Sequence, residues 1–121
     1  MGIGRVGEVV VDCHDPMRLA EFWQRLLGGY FVRSGSDWVQ LEPPAGVTIA
    51  FQRVPEPKSV KNRLHLDIDV RDLDQSIAAA ESYGAARVGD VITDELAAFQ
   101  TMTDPEGNEF CLVDQGGGDI A

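Results

Sequence analysis

The sequence predicts an α+β fold: two βαβββ modules forming a curved mixed sheet, with the helices outside. Three observations predict it. First, EVVVDCHDPMRLAEFWQRLLGG from Glu8 and HLDIDVRDLDQSIAAAESYGA from His65 share one plan. An apolar-rich strand pattern ends at an Asp (Asp15, Asp72), and a helical stretch follows and stops at a glycine (Gly28, Gly84). Glu8 and His65 occupy equivalent positions 57 residues apart. Second, WVQLEPPAGVTIAF matches FQTMTDPEGNEFCL at an offset of 61, pairing Trp38 with Phe99, Pro44 with Pro105 and Gly46 with Gly107. Third, 121 residues at 44% apolar content suit one compact domain or two small halves sharing a core, with little room for separate domains. An internal repeat in such a chain reads as a duplicated unit.

The elements follow in order. Val9, Val11 and Cys13 alternate with Glu8, Val10 and Asp12, the period-2 pattern of a strand with one buried face. Asp15 is an N-cap, Pro16 fits the first turn and Gly28-Gly29 stops the chain, so a helix is predicted over Pro16–Leu27. Its apolar set Leu19, Phe22, Trp23, Leu26 and Leu27 falls on one face. Short strands are expected at Tyr30–Arg33, Trp38–Leu41 and Val47–Val54, separated by Ser34-Gly35-Ser36 and Pro43-Pro44-Ala45-Gly46. Residues 55–63 read as an exposed linker between module one, 6–54, and module two, 64–114. In module two, Leu64, Leu66, Ile68 and Val70 alternate with His65, Asp67 and Asp69. Asp72 caps a helix from about Leu73 to Tyr83, which Gly84 closes. Then come Ala86–Val88, an acidic stretch through Glu95, Ala98–Thr103, the Pro105-Glu106-Gly107 turn and Glu109–Asp114. Residues 115–121 read as a flexible tail.

Composition removes several classes of function. Ten basic and 20 acidic residues give a net charge of −10, which argues against nucleic acid, whose phosphates need a basic surface. No apolar run approaches the roughly 18 residues of a membrane span, and the N-terminus lacks a secretory apolar region. Cys13 and Cys111 do not form a disulfide framework. A cytoplasmic protein is the expectation. The glycines serve turns and caps; there is no GxGxxG, P-loop or nucleophile elbow, and no organic cofactor is expected.

The paired repeat, with Asp15-Pro16 before LAEFWQRLLG, the segment Asn62-Arg63-Leu64-His65-Leu66-Asp67, and DPEGNEFC from Asp104 to Cys111, resembles the vicinal oxygen chelate superfamily. This is the group of glyoxalase and bleomycin-resistance proteins, and the chain looks closest to its small glyoxalase-like domains. The resemblance covers residues 6–114. It implies a homodimer and a concave groove between the modules that holds a small organic molecule. Metal-dependent members place ligands at positions that correspond here to Glu8, Ala50, His65 and Cys111. Ala50 cannot coordinate and Cys111 replaces a carboxylate, so standard glyoxalase activity is not expected. Glu109, two residues earlier on the same strand face, is a substitute ligand. Two readings of the groove stay open: a divalent ion (zinc, nickel, manganese or iron) on Glu8, His65 and Glu109 or Cys111, and a groove without metal.

His65 can serve as ligand or as general base, and Asp67 can orient it or accept a proton itself. Three ionisable groups at i, i+2 and i+4 (His65, Asp67, Asp69) on one strand face perturb one another, a pattern of active sites that is also met on solvated strands. Trp38, Gln40, Phe99 and Thr101 are paired across the repeat and line the groove as ligand-binding residues, the two aromatics either as platforms for a planar ligand or as core. Cys111 faces the groove and Cys13 the helices; the thiol is a nucleophile if activated and otherwise a small space-filler. The functional expectation is an isomerase- or lyase-type enzyme abstracting a proton next to a carbonyl. The alternative is a non-catalytic protein that sequesters a small molecule or antibiotic.

Overall fold

The computed structural model describes residues 2–3, 6–95 and 97–114; the tail expected at 115–121 lies outside the described residues. The chain divides into two compact units, one ending at Pro57 and the other beginning at Lys58. Each unit holds one four-stranded mixed sheet and one helix.

The first unit contains β1 (Glu8–Cys13), α1 (Pro16–Leu27), β2 (Tyr30–Ser34), β3 (Trp38–Glu42) and β4 (Thr48–Arg53). Its sheet order is β1-β4-β3-β2, with β1 parallel to β4 and the other pairs antiparallel. Asp15 accepts from the Arg18 amide at 3.2 Å and Pro16 occupies the first helical turn, as the capping pattern predicts. Helix α1 buries Leu19, Ala20, Phe22 and Trp23 against Val39, Leu41, Ile49 and Phe51. Phe22 and Trp23 meet edge to face at 5.4 Å. Each of these large side chains contributes about 1.5–3 kcal/mol by leaving water. Gly29 admits no side chain: at φ +92° an added Cβ would lie 2.2 Å from the Glu42 carbonyl oxygen.

The second unit contains β5 (Leu66–Asp69), α2 (Leu73–Tyr83), β6 (Ala86–Thr93), β7 (Ala98–Thr103) and β8 (Glu109–Asp114). Its sheet repeats the first, in order β5-β8-β7-β6 with β5 parallel to β8. Asp72 accepts from the Gln75 amide at 3.0 Å. Gly84, left-handed at φ 115°, closes the helix while the Ala85 amide returns to Ala80 O. Leu73, Ile77 and Ala80 pack over Met102, Phe110 and Leu112. Asp104, 4% exposed, accepts from the amides of Glu106 and Asn108 and fixes the turn before β8.

Two expectations change here. Leu64 does not join the strand: β5 starts at Leu66, and Leu64 is 89% exposed. The cause is local. Asn62 Nδ2 donates to the Glu109 carbonyl at 3.2 Å, so a side chain takes the place of strand pairing there. The acidic stretch after Val88, to which the sequence gives no element, continues the strand as far as Thr93. β6 runs to Thr93 by absorbing extra residues between Val88 and Ile92 in a bulge. Buried Gln100 holds that bulge, its amide donating to Val88 O at 3.2 Å and Gly89 O at 3.1 Å. Among the described residues no helix is long and apolar enough to cross a membrane.

Candidate functional site

Strand register in the second unit gathers a polar row on the face turned away from α2. Leu66, Ile68, Gln100, Met102, Phe110 and Leu112 alternate toward the helix side, which leaves Asp67, Thr101 and Cys111 on the other face. Asp67 stands directly across from Cys111, Cys111 across from Thr101, and Thr101 across from Val88. His65, one residue before β5, turns its Nε2 to 3.2 Å from Asp67 Oδ1. A carboxylate only accepts, so in the neutral ring Nε2 carries the proton and Nδ1 is the acceptor. The Thr101 hydroxyl lies 3.5 Å from the Cys111 thiol. His65 and Asp67 are about half exposed, while Cys111 is partly buried between its neighbouring strands.

These groups have the composition of a metal centre. One donor atom each from His65, Asp67 and Cys111 lie within 4.8 Å of one another. Nitrogen, oxygen and sulfur donors together suit zinc, and three protein ligands leave a position for substrate. The residues therefore fit the divalent ion that the resemblance implies. The sequence pairs Asp67 with His65 without marking it as a ligand. The i, i+2 spacing from His65 to Asp67 was the available signal.

Glu109 sits elsewhere in this network. Its carboxylate meets Lys58 Nζ at 3.1 Å, Lys61 Nζ at 3.3 Å and the Asn62 amide at 3.2 Å. The Asn62 N–H above all, and then the two lysines, hold its carboxyl below the ordinary glutamate value, against a smaller opposing effect of burial. Lys58 and Lys61, which the sequence places among linker charges, thus fasten their segment to the start of β8.

Phe99 stands across from Val113 and Ile92 on the same face as Cys111. Glu8 and Gln40 belong to the first unit, Glu8 across from Thr48 and Gln40 across from fully buried Ala50. Thr48 Oγ1 donates to Glu42 at 2.6 Å. Trp38 stands across from Gln52, and both line a cavity of about 640 Å³ with His14, Asp37, Arg53 and Pro55. His14, to which the sequence gives no role, donates from Nε2 to the Pro55 carbonyl at 3.0 Å. Its place at this cavity depends on the turn that brings Pro55 back to the end of β1, which local pattern does not reveal.

A family model described as a glyoxalase-like domain matches residues 8–113. Among solved structures, a glyoxalase/bleomycin resistance protein/dioxygenase family enzyme from Burkholderia phytofirmans PsJN is similar over 90% of this chain and 97% of its own, at 19% identity and a TM-score of 0.76. A glyoxalase-related enzyme from Fulvimarina pelagi is similar over 98% of both chains, at 13% identity and a TM-score of 0.76. A glyoxalase/bleomycin resistance protein from Albidiferax ferrireducens T118 is 21% identical, covering 90% of this chain and 97% of its own with a TM-score of 0.69. At these identities the likeness shows the fold alone. No curated protein matches the chain.

Proposed function

Because the chain belongs to the glyoxalase-like domain family, we propose that it is an enzyme that removes a proton next to the carbonyl of a small organic molecule, in an isomerase- or lyase-type reaction. The observation that carries this reading is the His65–Asp67 contact at 3.2 Å, on the same sheet face as Cys111 and Thr101. Asp67 accepts the Nε2 proton and orients the ring, which leaves Nδ1 to take the substrate proton. The C–H electron pair then moves onto the carbonyl oxygen. The Thr101 hydroxyl and Cys111 thiol, on the two following strands, are donors toward the charge that develops there. Were a divalent ion held by His65, Asp67 and Cys111, it would supply Lewis acidity, and the imidazole would then be a ligand and not the base. The test is solvent-deuterium exchange at the carbon next to the carbonyl of a neutral hydroxyketone. Wild type should exchange it, and His65→Ala should lower the rate about 10²–10⁴-fold. Equal exchange by both proteins sinks the proposal.

A second reading, sequestration of a small molecule, is favoured by the cavity beside Trp38 in the first unit. It predicts tight binding that Trp38→Ala weakens and His65→Ala leaves alone.

A further inference from the structure

We infer that the substrate is a carbonyl compound without negative charge and with a flat apolar body, laid across the face of the second sheet turned away from α2. This deepens the acid–base reading above and rests on it. The register that builds the polar row also builds an apolar shelf beside it. Phe99 faces Val113 on β8 and Ile92 on β6, and Val88 continues the row of Thr101. Val88 and Ile92 are 46% and 53% exposed, and Phe99 and Val113 are half-buried. Same-face neighbours on a strand lie about 7 Å apart. A carbonyl placed at Cys111 and Thr101 therefore sets the rest of a small molecule over Phe99, whose ring favours a flat partner.

Charge decides the other half. The cationic groups beside this face are already engaged. Asp67 holds His65, Glu109 holds both Lys58 and Lys61, and Asp69 has an interaction of its own. Arg87, whose parity sends it to the helix side, pairs with Glu81. Among the described residues of the four strands, the face offers no unpaired cation for a carboxylate or phosphate, and exposed Asp90 stands in the β6 bulge between Val88 and Ile92. An anionic substrate would give up hydration for no partner. An anion would also meet a chain of net charge −10.

The experiment titrates the full chain with two probes, phenacyl alcohol and its ring-carboxylated analogue, while backbone amide chemical shifts are followed. Phenacyl alcohol should move the amides of Val88, Phe99 and Cys111, and the carboxylated analogue should bind at least about tenfold more weakly. Val88→Lys and Ile92→Lys place a free cation on an exposed edge strand that tolerates it. Each should narrow or reverse that preference. Equal or tighter binding of the carboxylate, shifts confined to other residues, or silence from both probes would overturn the inference. Failure of the reaction is read separately: phenacyl alcohol that binds on this face without exchanging deuterium removes the acid–base reading and leaves the binding preference standing.

Discussion

Asp67 stands directly across from Cys111 on a parallel strand, and its carboxylate reaches back 3.2 Å to His65 Nε2. One residue thus links the imidazole to the thiol. If its work is to fix the tautomer, Asp67→Asn should lower the exchange rate about tenfold to a thousandfold with little change in KM, because an amide accepts or donates indifferently. A loss confined to KM would make Asp67 a binding group instead.

Metal uptake separates the groups that the sequence left together. Equilibrium dialysis against zinc should load about one equivalent on wild type, and His65→Ala and Cys111→Ala should abolish it. Glu109→Gln should retain uptake, since that carboxylate is occupied by Lys58, Lys61 and Asn62. Loss of zinc in Glu109→Gln would move the site toward the ligand set expected from resemblance.

Acid should act on the same carboxylate. Glu109 titrates below its ordinary value when folded, so it binds fewer protons in the folded state than in the unfolded one. The stabilisation is complete above the ordinary value near 4.5 and is lost as pH falls through the depressed one. Denaturation midpoints measured down the acid range should fall more steeply for wild type than for Glu109→Gln. Parallel curves would mean that the lysine contacts do not matter in solution.

Gly29 tests the first unit. Gly29→Ala places a Cβ against the Glu42 carbonyl at a positive φ, where the backbone cost and the overlap add to about 2–4 kcal/mol. Gly46→Ala also has a positive φ but meets nothing within 4 Å, so it should cost only the backbone part. Urea midpoints of the two variants give the comparison, and equal losses would remove the contact from the account.

Helices and strands were legible because their signals are local. Asp15 with Pro16, Asp72 with Gly84, and the alternation in β7 and β8 each put caps and period within a few residues. His65 with Asp67 was legible for the same reason. What escaped depends on partners distant in sequence. The start of β5 is set by Asn62 on Glu109, 47 residues away, and the fate of Glu109 by lysines that look like linker charges. The bulge in β6 is set by a glutamine on another strand.

That glutamine carries the last prediction. Gln100 is 1% exposed, and its amide donates to Val88, Gly89 and its neighbour Thr101 at 2.9–3.2 Å. Gln100→Leu keeps the approximate volume and leaves these carbonyls without that donor, at a cost of about 1–3 kcal/mol for each one that water does not reach. β6 is an edge strand with all eight residues exposed, so its carbonyls can turn to solvent, and the loss should lie toward the lower end. The specific effect should be local: amide hydrogen exchange should quicken across Val88–Ile92 before it quickens in β8. Because Val88 and Ile92 form the shelf beside Phe99, the same variant should weaken phenacyl alcohol binding while zinc uptake at His65, Asp67 and Cys111 persists. Unchanged exchange in β6 would show that the bulge is held by the backbone alone.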